Sequence, residues 1–141
     1  MLVQSRSPLV SALAVLSVIE GAFFLGYAIF DLIGVLRFGL TGPEEVSNAP
    51  AITLQVIMFA LFGAALILVA RGWWRVKRWA RAPFVLAQLL VLVVAVPLTS
   101  ASGSVERIAA SVGVLMAVVG LVLTFLPSTT RALLADDVPF S

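Results

Sequence analysis

The apolar and polar positions of this chain fall in long blocks, not in the short periods of a soluble fold. Leu9 to Leu36 is mainly apolar, interrupted by Glu20 and Asp31. Ala51 to Ala70 is twenty residues without one charge, about the length needed to cross a ~30 Å hydrocarbon core. A third run opens at Pro83 or Phe84 and reaches about Leu98. Pro97 sits close to its end, where a lost backbone hydrogen bond is tolerable. Ile108 to Leu126 is the fourth run, and Pro127 marks its end. The pattern predicts membrane helices over residues 9–36, 51–70, 83–99 and 106–127, in a single membrane domain spanning 1–141.

The connections read as polar turns. Residues 37–49 hold Gly39, Gly42, Pro43, Ser47 and Asn48, and Pro50 opens the second helix. Pro43-Glu44-Glu45 predicts a short helical turn, with Pro first and acids near the positive helix end. Residues 99–104 form a tight turn in which Ser104 caps the fourth helix and Glu106 falls in its first turn. In the polar tail 128–141, Arg131, Asp136 and Asp137 are solvated, while Leu133, Leu134, Val138 and Phe140 are available to the membrane surface or a partner. A cleavable signal peptide would have a shorter apolar region followed by a small-residue cleavage site. Ser11-Ala-Leu-Ala14 comes too early for that and the apolar run continues, so the first span reads as uncleaved.

Between the second and third spans lies the basic turn 71–82. Arg71, Arg75, Lys77, Arg78 and Arg81 are five of the nine Lys/Arg residues, and Trp73, Trp74 and Trp79 are all the tryptophans. Cations resist translocation and indole rings prefer the headgroup layer. Counting Arg6, this turn and Arg131 against Arg37 and Arg107, seven basic residues face two. That bias places both termini and the basic turn in the cytoplasm. Short connections favour antiparallel neighbours. The expected fold is all-α: a polytopic, antiparallel four-transmembrane-helix bundle with cytoplasmic N- and C-termini.

Composition sharpens the picture. The chain is 62% hydrophobic and 11% charged, where soluble domains run nearer half apolar and a quarter charged. The net charge of +2 is small. With the cations gathered on one loop, it points to anionic lipid headgroups rather than nucleic acid. Cysteine and histidine are absent. Thiol catalysis, thiolate metal sites, the commonest general base and the commonest transition-metal ligand go with them. No phosphate loop, nucleophile–base pair or metal-ligand cluster is recognisable, so the expectation is a non-enzyme without cofactor or metal.

Glu20 is the most informative residue. It lies about 16 Å along the first helix from Leu9 at ~1.5 Å per residue, near the midplane of the core. A charge there costs roughly 2.5–3.5 kcal/mol even on the mild insertion scale, so Glu20 is expected to face inward. Ser17, Glu20, Phe24, Tyr27, Asp31 and Gly34 recur at a 3-4-3-4-3 spacing, which puts Glu20, Tyr27 and Asp31 on one stripe. Two readings stay open: a proton or ligand site reached by a polar path, or a buried acid that locks helix register. Gln88 on the third span is the first candidate to hydrogen-bond Glu20. Gln55 occupies the equivalent depth on the outer side of the second span, nearer Asp31. Non-additive effects of Glu20→Gln and Gln88→Leu would mark the former pair as in contact.

Lipid removes the hydrophobic drive between helices, so close contact needs small residues. Ala110, Gly113, Ala117, Gly120 and Thr124 recur at spacings of three and four and predict a packing seam, either within the bundle or between two copies. Ala60, Gly63 and Ala64 form a weaker version on the second span. In the basic turn, Arg71, Arg75 and Arg78 would share one face of a helical extension and Trp73, Val76 and Ala80 another. Its eight cations and tryptophans are expected to anchor the cytoplasmic face to headgroups, or to form a specific site for anionic lipid or an acidic partner.

The stretches LSVIEGAFFLGYAIFDL and ARGWWRVKRWARAPFVLAQLL resemble those of uncharacterised small integral membrane proteins of high-GC Gram-positive (actinobacterial) bacteria. That resemblance covers nearly the whole chain and implies a four-span topology in a bacterial plasma membrane, but no activity. Glu20 alone is similar to the membrane-embedded glutamate of small multidrug resistance transporters. The long first loop, strong charge bias and tryptophans outside the spans depart from that family. The expected role is a non-enzymatic accessory or scaffold subunit, partnered by another membrane protein or a second copy of itself. The alternative is a small dimeric proton-coupled transporter or channel using Glu20, and lipid handling by the outer loop and basic turn is a third reading.

Overall fold

The computed structural model describes residues 7–39, 49–100 and 102–135. These are almost wholly helical: α1 (Pro8–Phe38), α2 (Ala49–Trp74), a short 3-10 helix (Arg78–Ala80), α3 (Arg81–Leu98), α4 (Ser104–Phe125) and α5 (Pro127–Ala135). In lipid every backbone polar group must be satisfied within its own segment, which leaves the helix as the spanning form for such apolar runs. Four of the helices are long and apolar enough to cross a membrane. The protein is an all-α, multi-pass integral membrane protein built on four antiparallel apolar helices. At 31 residues, α1 is about 46 Å long by its rise, so it outruns a ~30 Å core and must tilt or project. Arg6, the Pro43–Glu45 turn and Asp136, Asp137, Val138 and Phe140 lie outside the described residues.

The helix ends depart from expectation in four places. First, α2 runs through Arg71 and Trp73 to Trp74 before it stops. The Val76 N–H then bonds the Trp73 carbonyl and the Lys77 N–H bonds the Gly72 carbonyl, at 2.9 Å each. That is a Schellman closure of a helix C-terminus. It puts Val76 at φ 55°, a left-handed conformation that is unusual for a β-branched residue. The basic turn is therefore not one helical extension, and Arg71, Arg75 and Arg78 do not share a helix face. Second, α3 begins at Arg81, which leaves Pro83 in the first turn, where its missing N–H has no intrahelical partner to lose.

Third, Gly103 and not Ser104 occupies the N-cap of α4, with no side-chain cap hydrogen bond. The Glu106 carboxylate folds over Gly103, where a Cβ would collide with it. Fourth, Pro127 does not simply end the fourth span; it opens α5, the place in a helix that suits proline best. The Thr129 hydroxyl donates to the Leu123 carbonyl at 2.7 Å, satisfying one of the last acceptors of α4.

The chain forms two compact units, residues 1–17 with 69–141, and residues 18–68. In the first unit Val10, Leu13, Ala14, Val69, Trp73, Ala80, Phe84 and Leu133 make the core. The Trp73 and Phe84 rings meet edge to face, 5.7 Å apart at 87°. Gly72 lets the turn fold back, because a Cβ there would lie 2.8 Å from Ala80 Cβ. Leu133, expected to be available to the membrane surface or a partner, is instead buried in this core. The second unit holds the remaining lengths of α1 and α2. These two segments cross at Gly21 and Gly63, where a Cβ on Gly63 would come within 2.8 Å of the Gly21 carbonyl oxygen.

Candidate functional site

The polar stripe of α1 grades from buried to exposed. Ser17 is buried and its hydroxyl donates to the Leu13 carbonyl at 2.8 Å. Glu20 is 6% exposed, Tyr27 is 42% exposed, and Asp31 is half-buried. Asp31 Oδ2 accepts a 2.7 Å hydrogen bond from Gln55 Nε2 of α2. The Tyr27 ring packs edge to face on Phe59 (5.2 Å) and lies near Phe23 and Phe30 (6.5 Å each). Phe24 packs on Phe59 (5.8 Å) and Phe62 (4.9 Å). Between Glu20 and Asp31 the stripe is thus filled by aromatic rings of α1 and α2.

Glu20 belongs to the second unit and Gln88, fully buried on α3, to the first. The weaker small-residue seam already included Gly63, but its partner Gly21 and the aromatic cluster escaped the sequence reading. Their signal was there: Phe24 and Tyr27 on one helix and Phe59 and Phe62 on the other share a spacing of three, and glycine sits beside the mid-span acid.

The seam on α4 faces inward within the first unit. Ala110, Ala117, Gly120 and Thr124 are buried, and Gly113 is half-buried. Its members are not equivalent. A Cβ on Gly120 would lie 3.0 Å from both Leu16 Cδ2 and Phe84 Cζ, whereas one on Gly113 would meet Ala95 and Val91 at an ordinary 3.8 Å. The Thr124 hydroxyl turns back to the Gly120 carbonyl at 2.7 Å, so it gives α3 no hydrogen bond and serves as a small packing group.

The basic turn splits its residues between core and surface. Trp73 is fully buried, and its indole N–H has no hydrogen-bond partner among the described residues. Trp73 is therefore withdrawn from the headgroup-anchor set, because the helix end turns it onto Phe84. Trp74 and Trp79 are exposed, as are Arg71, Arg75, Lys77 and Arg78, while Arg81 is half-buried. The Arg81 guanidinium sits 5.1 Å over the Phe125 ring. Beside Arg78 and Arg81 opens a cleft of about 540 Å³ between the start of α3 and α5. Glu20 does not line it. Sequence reading missed this cleft because it took the residues after Pro127 as a tail. Thr129 and Leu133, both buried and four apart, were the available sign of a docked helix.

No protein-family model matches the chain, and no curated protein or solved structure matches it either. Fold and composition define the class: an integral membrane protein with four membrane-spanning helices.

Proposed function

We propose that this chain is a non-enzymatic accessory or scaffold subunit of a larger membrane assembly. One observation carries the reading. Three polar side chains of the α1 stripe are taken up by local contacts: Asp31 pairs with Gln55 of α2, Ser17 bonds its own helix, and the Tyr27 ring packs on Phe59 of α2. Meanwhile α1 and α2 present large apolar side chains outward, among them Phe30, Leu36, Leu54 and Leu61. In a bilayer these suit lipid or a neighbouring helix equally. The cytoplasmic placement of the basic turn and of both termini, in a bacterial plasma membrane, belongs to the same proposal and rests on the charge bias. Affinity purification of the full chain from native membranes in mild detergent is the test. A stoichiometric larger membrane protein is expected, and a lone monomer would overturn the reading.

The burial of Glu20 within a span favours a second reading, a dimeric proton-coupled transporter with Glu20 as the proton-binding acid. It predicts that Glu20→Gln abolishes pH-linked flux in reconstituted vesicles while helix content is kept. Unchanged flux would sink it.

A further inference from the structure

We infer that the cleft between α3 and α5 binds one anionic phospholipid, with its phosphate held by Arg78 and Arg81 and an acyl chain lying along Leu86, Leu89 and Leu134. The cations and the leucines line the same 540 Å³ cleft, and no acidic residue lines it among the described residues. That volume falls in the range of ordinary ligand sites. The layout follows the depth of a lipid. Arg78 and Arg81 flank the exposed Trp79 in the chain, an indole that prefers headgroup level. From Arg81, α3 runs inward, and Leu89 lies eight residues on, about 12 Å deeper by the helical rise. A ligand that fills the cleft must therefore be anionic at one end and apolar along its length.

Two features make this a site and not a diffuse basic surface. Arg81 is the first residue of a long helix, and its guanidinium is held over Phe125 at 5.1 Å, a cation–π contact that limits its freedom. The opposite wall is α5, whose Leu133 is anchored in the core while Leu134 is exposed at the cleft. An acidic peptide fits less well, because its backbone polar groups would go unsatisfied against the leucines. Inorganic phosphate would leave those walls unused. The site does not depend on the accessory-subunit reading, since a lone chain would bind the lipid equally.

The test uses the full chain in maltoside micelles, with phosphatidylglycerol and phosphatidylcholine of identical acyl chains as probes. Lipid retention is read by native mass spectrometry and the thermal midpoint by circular dichroism. Wild type is expected to prefer phosphatidylglycerol by about thirtyfold, the factor that two near-surface cations supply. The double variant R78Q/R81Q should lose that preference. R71Q/R75Q, which removes the same charge from the same turn outside the cleft, should keep it. Leu89→Trp fills the cleft at a half-exposed position and should weaken binding without touching the charge. It carries the test if R78Q/R81Q does not fold. Equal losses in the two arginine variants would mean diffuse attraction and would overturn the site. So would full binding by the Leu89→Trp variant, or stabilisation by inorganic phosphate equal to that by the lipid.

Discussion

In the second unit α1 and α2 meet backbone to backbone at Gly21 and Gly63, with aromatic rings stacked beside the crossing. In the first unit the space between helices is filled by large side chains, Trp73 and Phe84 above all. The two regions use opposite means for one end. Neither can rely on water to drive helices together, so both depend on contact density. The glycine crossing gains contacts by removing side chains, and the Trp73–Phe84 core gains them by supplying side chains that fit. A substitution should thus fail in opposite ways: additions break the crossing, and deletions break the core.

Phe84→Ala should have the largest effect. It empties the ring beneath Trp73 and beside Gly120, and loss of a buried Phe typically costs about 3–5 kcal/mol. Unfolding in mixed detergent micelles would report it, and a cost near that of an exposed leucine would refute the core. Next comes Gly63→Ala. Its new Cβ lies 2.8 Å from a backbone oxygen that cannot rotate away, so a loss of roughly 1–3 kcal/mol is expected. Gly113→Ala is the control on the seam: there is room for its Cβ, and it should be neutral or gain up to about 1 kcal/mol from helix propensity. Equal losses at the two positions would erase the distinction drawn between them.

Val76→Gly tests the turn that closes α2. A left-handed residue with a Cβ costs about 1–2 kcal/mol, and glycine removes that strain while giving up packing and adding chain entropy. A net gain of up to about 1 kcal/mol is expected, and a clear loss would show that Val76 packing outweighs its strain. The smallest effect belongs to Asp31 and Gln55. A double-mutant cycle with Asp31→Asn and Gln55→Leu should give a coupling of about 0.6 kcal/mol, the average for side-chain hydrogen bonds between membrane helices. Additive changes would mean that the pair is not formed in the membrane.

Much of this molecule was legible in advance, and the residues show why. Twenty uncharged residues at 51–70 can do little but span, and the small-residue spacing on α4 marked a packing face without saying whether it turns inward or toward a second copy. Counting residues put Gln55 on the outer side of the second span, nearer Asp31 than Glu20, but the 2.7 Å hydrogen bond between them is a result of the fold. Trp73 was read wrongly because three tryptophans in one loop look alike in sequence. Their fates diverge at a backbone event, the left-handed turn at Val76, which no residue type announces. Leu133 was read wrongly because Pro127 can end one helix or begin another.

The sequence by itself determined the class of the protein: four apolar helices, polar ends and one basic turn, since hydropathy and helical rise are properties of local stretches. Only the tertiary structure decided which glycines are irreplaceable, which tryptophan is core, and that α5 folds back to make a cleft beside two arginines. Those outcomes depend on which surfaces meet, and a surface pair is specified by residues far apart in the chain.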